Sequence, residues 1–326
     1  MPGNKEEDSV RSILDRLKSA GQETSEIRGR IDQMVSEYYK EKRTREKAPH
    51  EYAISGKKRI TVKTLGYANR AQTVIFCVSL GLLASAEITL QFNTELGLLL
   101  HELLIIFLIA GMLVIHRLET QTPAYGSAAD LLKAMILAPL ARILGFALPL
   151  ALFKPIYWPL LVSIPLLMSV WVLARILKVS AADVGLVFKR IPLQILIAAT
   201  GIAFGFIEYS IIHPAPLISS LSPENLILPG IILIIFTGLT EELVFRGMIQ
   251  NTAARFFGPA YGIIYSSIAF SVMYIRFNSL PEIVFVLSVS LFYGYTFQRT
   301  RILTGVIVSH GLTNVVLFLI APFIIH

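Results

Sequence analysis

The chain has 326 residues, of which 54% are hydrophobic and 16% charged, and its formal net charge is +7. A soluble domain carries about a quarter charged residues, so this composition argues against an ordinary globular protein and for a polytopic membrane protein. The single cysteine, Cys77, rules out an intrachain disulfide.

Residues 1–70 hold 16 Lys+Arg against 11 Asp+Glu, a net of +5, whereas the remaining 256 residues hold 13 against 11, a net of +2. A basic head before the first span marks the cytoplasmic side and suits contact with anionic lipid. Nucleic-acid binding has nothing but charge behind it and is not expected. Within this head, Val10, Leu14 and Leu17, then Ile27, Ile31, Met34 and Tyr38, recur at three and four, predicting a helix over 8–47. Gly21 breaks the phase. A solvated amphipathic helix is the preferred reading, and self-association through it is the alternative. Residues 48–70 are a basic connector. No apolar run of the kind that opens a secretory signal precedes residue 70.

Apolar stretches then predict spans at about 72–92, 96–116, 131–152, 156–177, 191–212, 226–250, 259–277, 282–298 and 302–324, each near the roughly 20 residues a bilayer requires. Residues 71–125 read as a hairpin placed ahead of a core over 126–326. With the N-terminus inside, Arg117, Lys178, Lys189, Arg190, Arg255, Arg299 and Arg301 gather at inner ends, against Lys154 and Arg276 outside. No strand alternation is present. The expected fold is all-α, a polytopic transmembrane helical bundle of eight to nine spans with an N-terminal cytoplasmic amphipathic helix.

The chemistry lies in two of these spans. Glu241 and Glu242 are adjacent inside an apolar run, with Arg246 four residues on. Ionisable groups at membrane depth are costly and mark function by default. Adjacent helical residues point about 100° apart, whereas Glu242 and Arg246 share a face. Arg246 is therefore expected to neutralise Glu242, leaving Glu241 to face a cavity as a general base for water. On the last span His310 and Asn314 are also four apart, two donors suited to an oxyanion. Both sites lie roughly 12 to 14 Å from the inner ends of their spans by helical rise, so they can meet. Arg142, mid-span, is expected to pair with Glu87 or Glu208. His101-Glu102 lacks the second histidine of a zinc-protease motif. No metal and no cofactor is expected.

These elements resemble a known family. Glu241-Glu242-Leu-Val-Phe-Arg246-Gly247, Phe270-Ser-Val-Met-Tyr274 and His310-Gly-Leu-Thr-Asn314 are similar to the three motifs of the CAAX-protease and bacteriocin-processing membrane proteins, which include the Ras-converting CAAX endopeptidases. The resemblance covers about residues 180–320. It implies a metal-independent, glutamate-dependent intramembrane endopeptidase of eight or so helices. Glu241 and position 274 would activate water, and His310 and Asn314 would form the oxyanion hole, with Glu242, Arg246 and Phe270 in support. The family carries histidine where this chain has Tyr274. A phenol does not shuttle protons near neutrality as imidazole does, and general acid–base help is worth about 100- to 10,000-fold.

The expected function is hydrolysis of a peptide bond in a membrane-associated substrate, lipidated or not, by an integral multi-pass protein. Two rivals stand beside it. One is a non-catalytic membrane binding or scaffold protein, favoured by Tyr274; the other is a proton-coupled transporter using Glu241.

Overall fold

The computed structural model describes residues 33, 36, 70–119, 128–277 and 279–325. The chain divides into two units, Met1–Thr61 and Val62–His326. The helix expected over 8–47 falls almost wholly outside the described residues.

Helices are the regular structure of the described part of the second unit. In chain order it forms α1 (Arg70–Phe92), α2 (Thr94–Glu119), α3 (Ala128–Met135), α4 (Leu137–Ala147), α5 (Trp158–Ile176) and α6 (Ile191–Ile212). There follow α7 (Pro223–Phe257), α8 (Pro259–Val272), α9 (Leu280–Thr300) and α10 (Thr304–Ile324). Among the described residues, seven helices (α1, α2, α5, α6, α7, α9 and α10) are long and apolar enough to cross a bilayer. Large apolar side chains such as Ile106, Trp171 and Leu196 are exposed on these helices. On a soluble monomer apolar exposure of this extent would be unusual, and here it is the surface that lipid covers.

Two expected spans take another form. The stretch 131–152 is α3 and α4, broken at Ile136, followed by a 3-10 turn at Leu150–Leu152. Pro139 has no N–H to give to the carbonyl four residues back, and Pro149 ends the second piece. The stretch 259–277 is the 14-residue α8, which stops at Val272. Tyr274 therefore lies on the turn between α8 and a 3-10 turn at Ile275–Phe277.

The helix α7 is irregular where it matters. Ile234–Leu239 and Leu243–Gln250 are π-helical, and the three α-helical residues between them are Thr240, Glu241 and Glu242. Such turns leave carbonyls poorly matched, and in an apolar surround each must find a donor. The Ser163 hydroxyl of α5 donates to Phe236 O, Thr237 Oγ1 donates to Leu233 O, and Ser266 Oγ of α8 donates to Phe245 O at 2.7 Å. Hydroxyls from two neighbouring helices thus support the register that sets the acid pair.

Glycines bring α10 against its neighbours. A methyl placed on Gly311 would lie 2.5 Å from Ile234 Cα, and one on Gly238 would lie 2.5 Å from Ile307 O. The backbones of α7 and α10 touch at this crossing, one turn from Glu241 on one side and next to His310 on the other.

Candidate active site

Glu242 is fully buried and its Oε1 is the hub of the site. Arg246 Nη1 donates to it at 2.9 Å from the next turn of the same helix. His310 Nδ1 lies 2.7 Å from the same oxygen. The Arg246 guanidinium also donates to Ser290 Oγ of α9 at 2.8 Å. It lies between two rings, 4.7 Å from the centre of Phe270 and 5.6 Å from that of Tyr293. A planar, weakly hydrated cation suits such a slot, where a point-charge ammonium would not.

The His310 ring is held on three sides. Phe270 meets it edge-on at 5.9 Å, and Tyr293 stacks against it at 6.2 Å with 28° between planes. Its second nitrogen, Nε2, lies 3.7 Å from Glu241 Oε2. The two nitrogens lie on different edges of the imidazole. One ring therefore reaches two acids that leave their helix in different directions. Glu242 is sealed, while the Glu241 side chain keeps 35% of its surface open.

Asn314 donates through Nδ2 to Thr237 Oγ1 at 2.8 Å. A carboxamide nitrogen has two hydrogens, so one remains for another acceptor. Glu208, Phe270, Tyr274, Tyr293, His310 and Asn314 line a pocket of about 20 Å³, room for roughly one water. Glu241 is not among its lining residues and meets it through His310. Tyr274 packs on Phe270 with ring centres 5.2 Å apart.

All seven residues singled out in the sequence thus come together around the α7–α10 crossing. Four partners were missed: Glu208, Thr237, Ser290 and Tyr293. A signal for the last two existed, because Glu282, Val286, Ser290, Tyr293 and Phe297 form one buried face of α9 at helical spacing. Arg142 pairs with Glu87 at 2.7 Å, not with Glu208. His101 is buried with Nε2 3.5 Å from the same carboxylate. Among the described residues no group of three or more metal-ligating side chains is arranged to hold an ion.

Fold and site together define a polytopic α-helical membrane protein with an acid–imidazole centre set between spans. Residues 223–316 match the family described as Type II CAAX prenyl endopeptidase Rce1-like, the family that the three motifs resemble. The matched stretch contains every one of the seven motif residues. No curated protein and no solved structure matches the chain.

Proposed function

We propose that this protein is an intramembrane endopeptidase that cleaves a peptide bond in a membrane-associated substrate with a water activated by Glu241. The observation that carries the reading is the placing of His310 between two acids of α7. Glu242, held by Arg246, accepts from Nδ1 and fixes the ring, while Nε2 faces Glu241. A water lying beside the 3.7 Å gap reaches both groups. Glu241 takes its proton as the oxygen attacks the carbonyl carbon. Asn314 and a protonated His310 supply the donors for the oxyanion that forms. The nucleophilic water, the acid and the donors are then all within one turn of the α7–α10 crossing.

The pocket of about 20 Å³ has room for roughly one water. The scissile segment enters where Glu241 is open. The family match supports a CAAX-type substrate, a membrane-bound protein cut near its C-terminus. An inward-facing site with the N-terminus in the cytoplasm follows from the charge bias.

Tyr274 favours one other reading, capture of a hydrophobic segment without cleavage. The experiment that separates the two is a comparison of membrane peptides from cells with the intact protein and with Glu241→Ala. New termini that vanish in the variant support the enzyme. Identical peptide sets together with retained partner capture support the binding protein.

A further inference from the structure

The helix α8 has 14 residues and rises about 21 Å, short of the roughly 30 Å of hydrocarbon in a bilayer. Its end lies at membrane depth, where the carbonyls of a last helical turn have no water to accept from. Met273 and Tyr274 continue the chain as a turn, their amides donating to Phe270 O and Ser271 O. The carbonyls on either side of Tyr274 are held from other helices. Arg142 Nη2 of α4 donates to Met273 O at 2.6 Å, and Gln91 Nε2 of α1 donates to Ile275 O at 2.9 Å. Arg142 is itself aimed by Glu87 of α1, whose Oε1 accepts from its Nε at 2.7 Å. His101 of α2 brings Nε2 to 3.5 Å from the same oxygen. Glu87, His101 and Arg142 are all buried. One end of α1 is bonded to α8 itself, with Ser79 Oγ 3.0 Å from the Tyr265 hydroxyl.

This ionic cluster takes no part in the steps assigned to Glu241, Glu242 and His310. What it holds is the turn from which Tyr274 lines the pocket beside His310 and Asn314. A phenol both donates to and accepts from a water, but hydrogen bonds weaken steeply when misaligned. The hydroxyl therefore orients a water only where its backbone is fixed. We infer, on the reading that this protein is an endopeptidase, that Arg142, aimed by Glu87, is a positioning residue that fixes Tyr274 against the water of the pocket. Gln91 holds the other side of the same turn. All three precede the matched stretch 223–316, so α1 and α4 complete a site whose acid and imidazole lie within that stretch.

The test uses the full chain in liposomes and a quenched fluorescent peptide with a prenylated C-terminal segment. Arg142 and Glu87 are replaced together, as Glu87→Met with Arg142→Met, because removing one alone strands a buried charge. The pair variant is expected to lower kcat about tenfold or more while KM changes little. Tyr274→Phe is expected to lower kcat to a similar level. In the Tyr274→Phe background the pair variant is then expected to cause no further fall, whereas support of the fold alone gives the same fractional fall in both backgrounds. Equal falls, or an unchanged kcat in Tyr274→Phe, with Glu241→Gln inactive, overturn the positioning assignment and leave the endopeptidase reading standing. No Glu241-dependent cleavage by the wild type overturns both. A readout without substrate covers a pair variant that does not fold. A 3-fluorotyrosine at position 274 is expected to give one narrow fluorine-19 resonance in the otherwise wild-type protein and a broadened or split one in Gln91→Ala, which strands no charge. An unchanged resonance in Gln91→Ala and in the pair variant overturns the assignment.

Discussion

At the residue scale, Glu241 and Glu242 are neighbours in sequence with opposite duties. Glu242 is sealed against Arg246 and His310, whereas Glu241 lies 3.7 Å from Nε2 and stays partly open. Glu241→Gln is therefore expected to remove cleavage, by about 100-fold or more, with little change in the melting temperature of the purified protein. Arg246→Met is expected to do the reverse in kind. It strands a buried carboxylate, at a cost of about 3–5 kcal/mol, and a detergent thermal melt will show a large drop whatever the substrate. Away from the membrane-spanning segments, partial burial pushes the Asp183 carboxyl up, but the Ser180 hydroxyl and amide, with Arg255 and Arg301, outweigh it and hold the group below its ordinary range. A depressed carboxyl contributes stability above the ordinary carboxylate range and loses it as pH falls through the lowered value. Melting temperature is thus expected to drop slightly more on acidification in wild type than in Asp183→Asn.

At the element scale, the decisive contact is the α7–α10 crossing, and two glycines make it. Gly311→Ala places a methyl 2.5 Å from Ile234 Cα, so one helix must move. A shift of that kind costs about 1–3 kcal/mol and parts His310 from Glu242. Loss of activity is expected together with a lower melting temperature, and preserved activity would show that the crossing tolerates separation. The hairpin α1–α2 has a site-directed role as well. Arg142, paired with Glu87 of α1, donates to Met273 O at 2.6 Å, and Gln91 of α1 donates to Ile275 O at 2.9 Å. Both tethers grip the turn that carries Tyr274. Gln91→Ala, exposed and remote from the acids, is expected to reduce turnover several-fold while binding of a substrate peptide changes little. The periodicity and acid spacing in the sequence made the spans and the Glu242–Arg246 pair legible. The π turns were not legible, because they depend on hydroxyls of other helices, and the end of α8 before Tyr274 was not, because its apolar run continues past the turn. Distance from the helix ends also misled, since α7 runs on to Phe257, past the expected boundary at 250. The meeting of the two sites is set by the glycine crossing, which only tertiary contact reveals.

At the scale of the whole molecule, the bundle buries a set of charged side chains among its helices while many large apolar ones face outward. Glu87, Arg142, Glu208, Glu242, Arg246, Glu282 and His310 are all buried, while leucine, isoleucine and tryptophan cover the surface. In a bilayer each of these charges must be matched within the protein, and most of them are matched around one pocket. The measurement that tests this account most directly is a single turnover by the purified protein in heavy-oxygen water, with a prenylated C-terminal peptide. Label in the new carboxylate of the product, and none in the protein, is the predicted result. Label in the Glu241 side chain, or cleavage that survives Glu241→Gln, would contradict water activation by this acid.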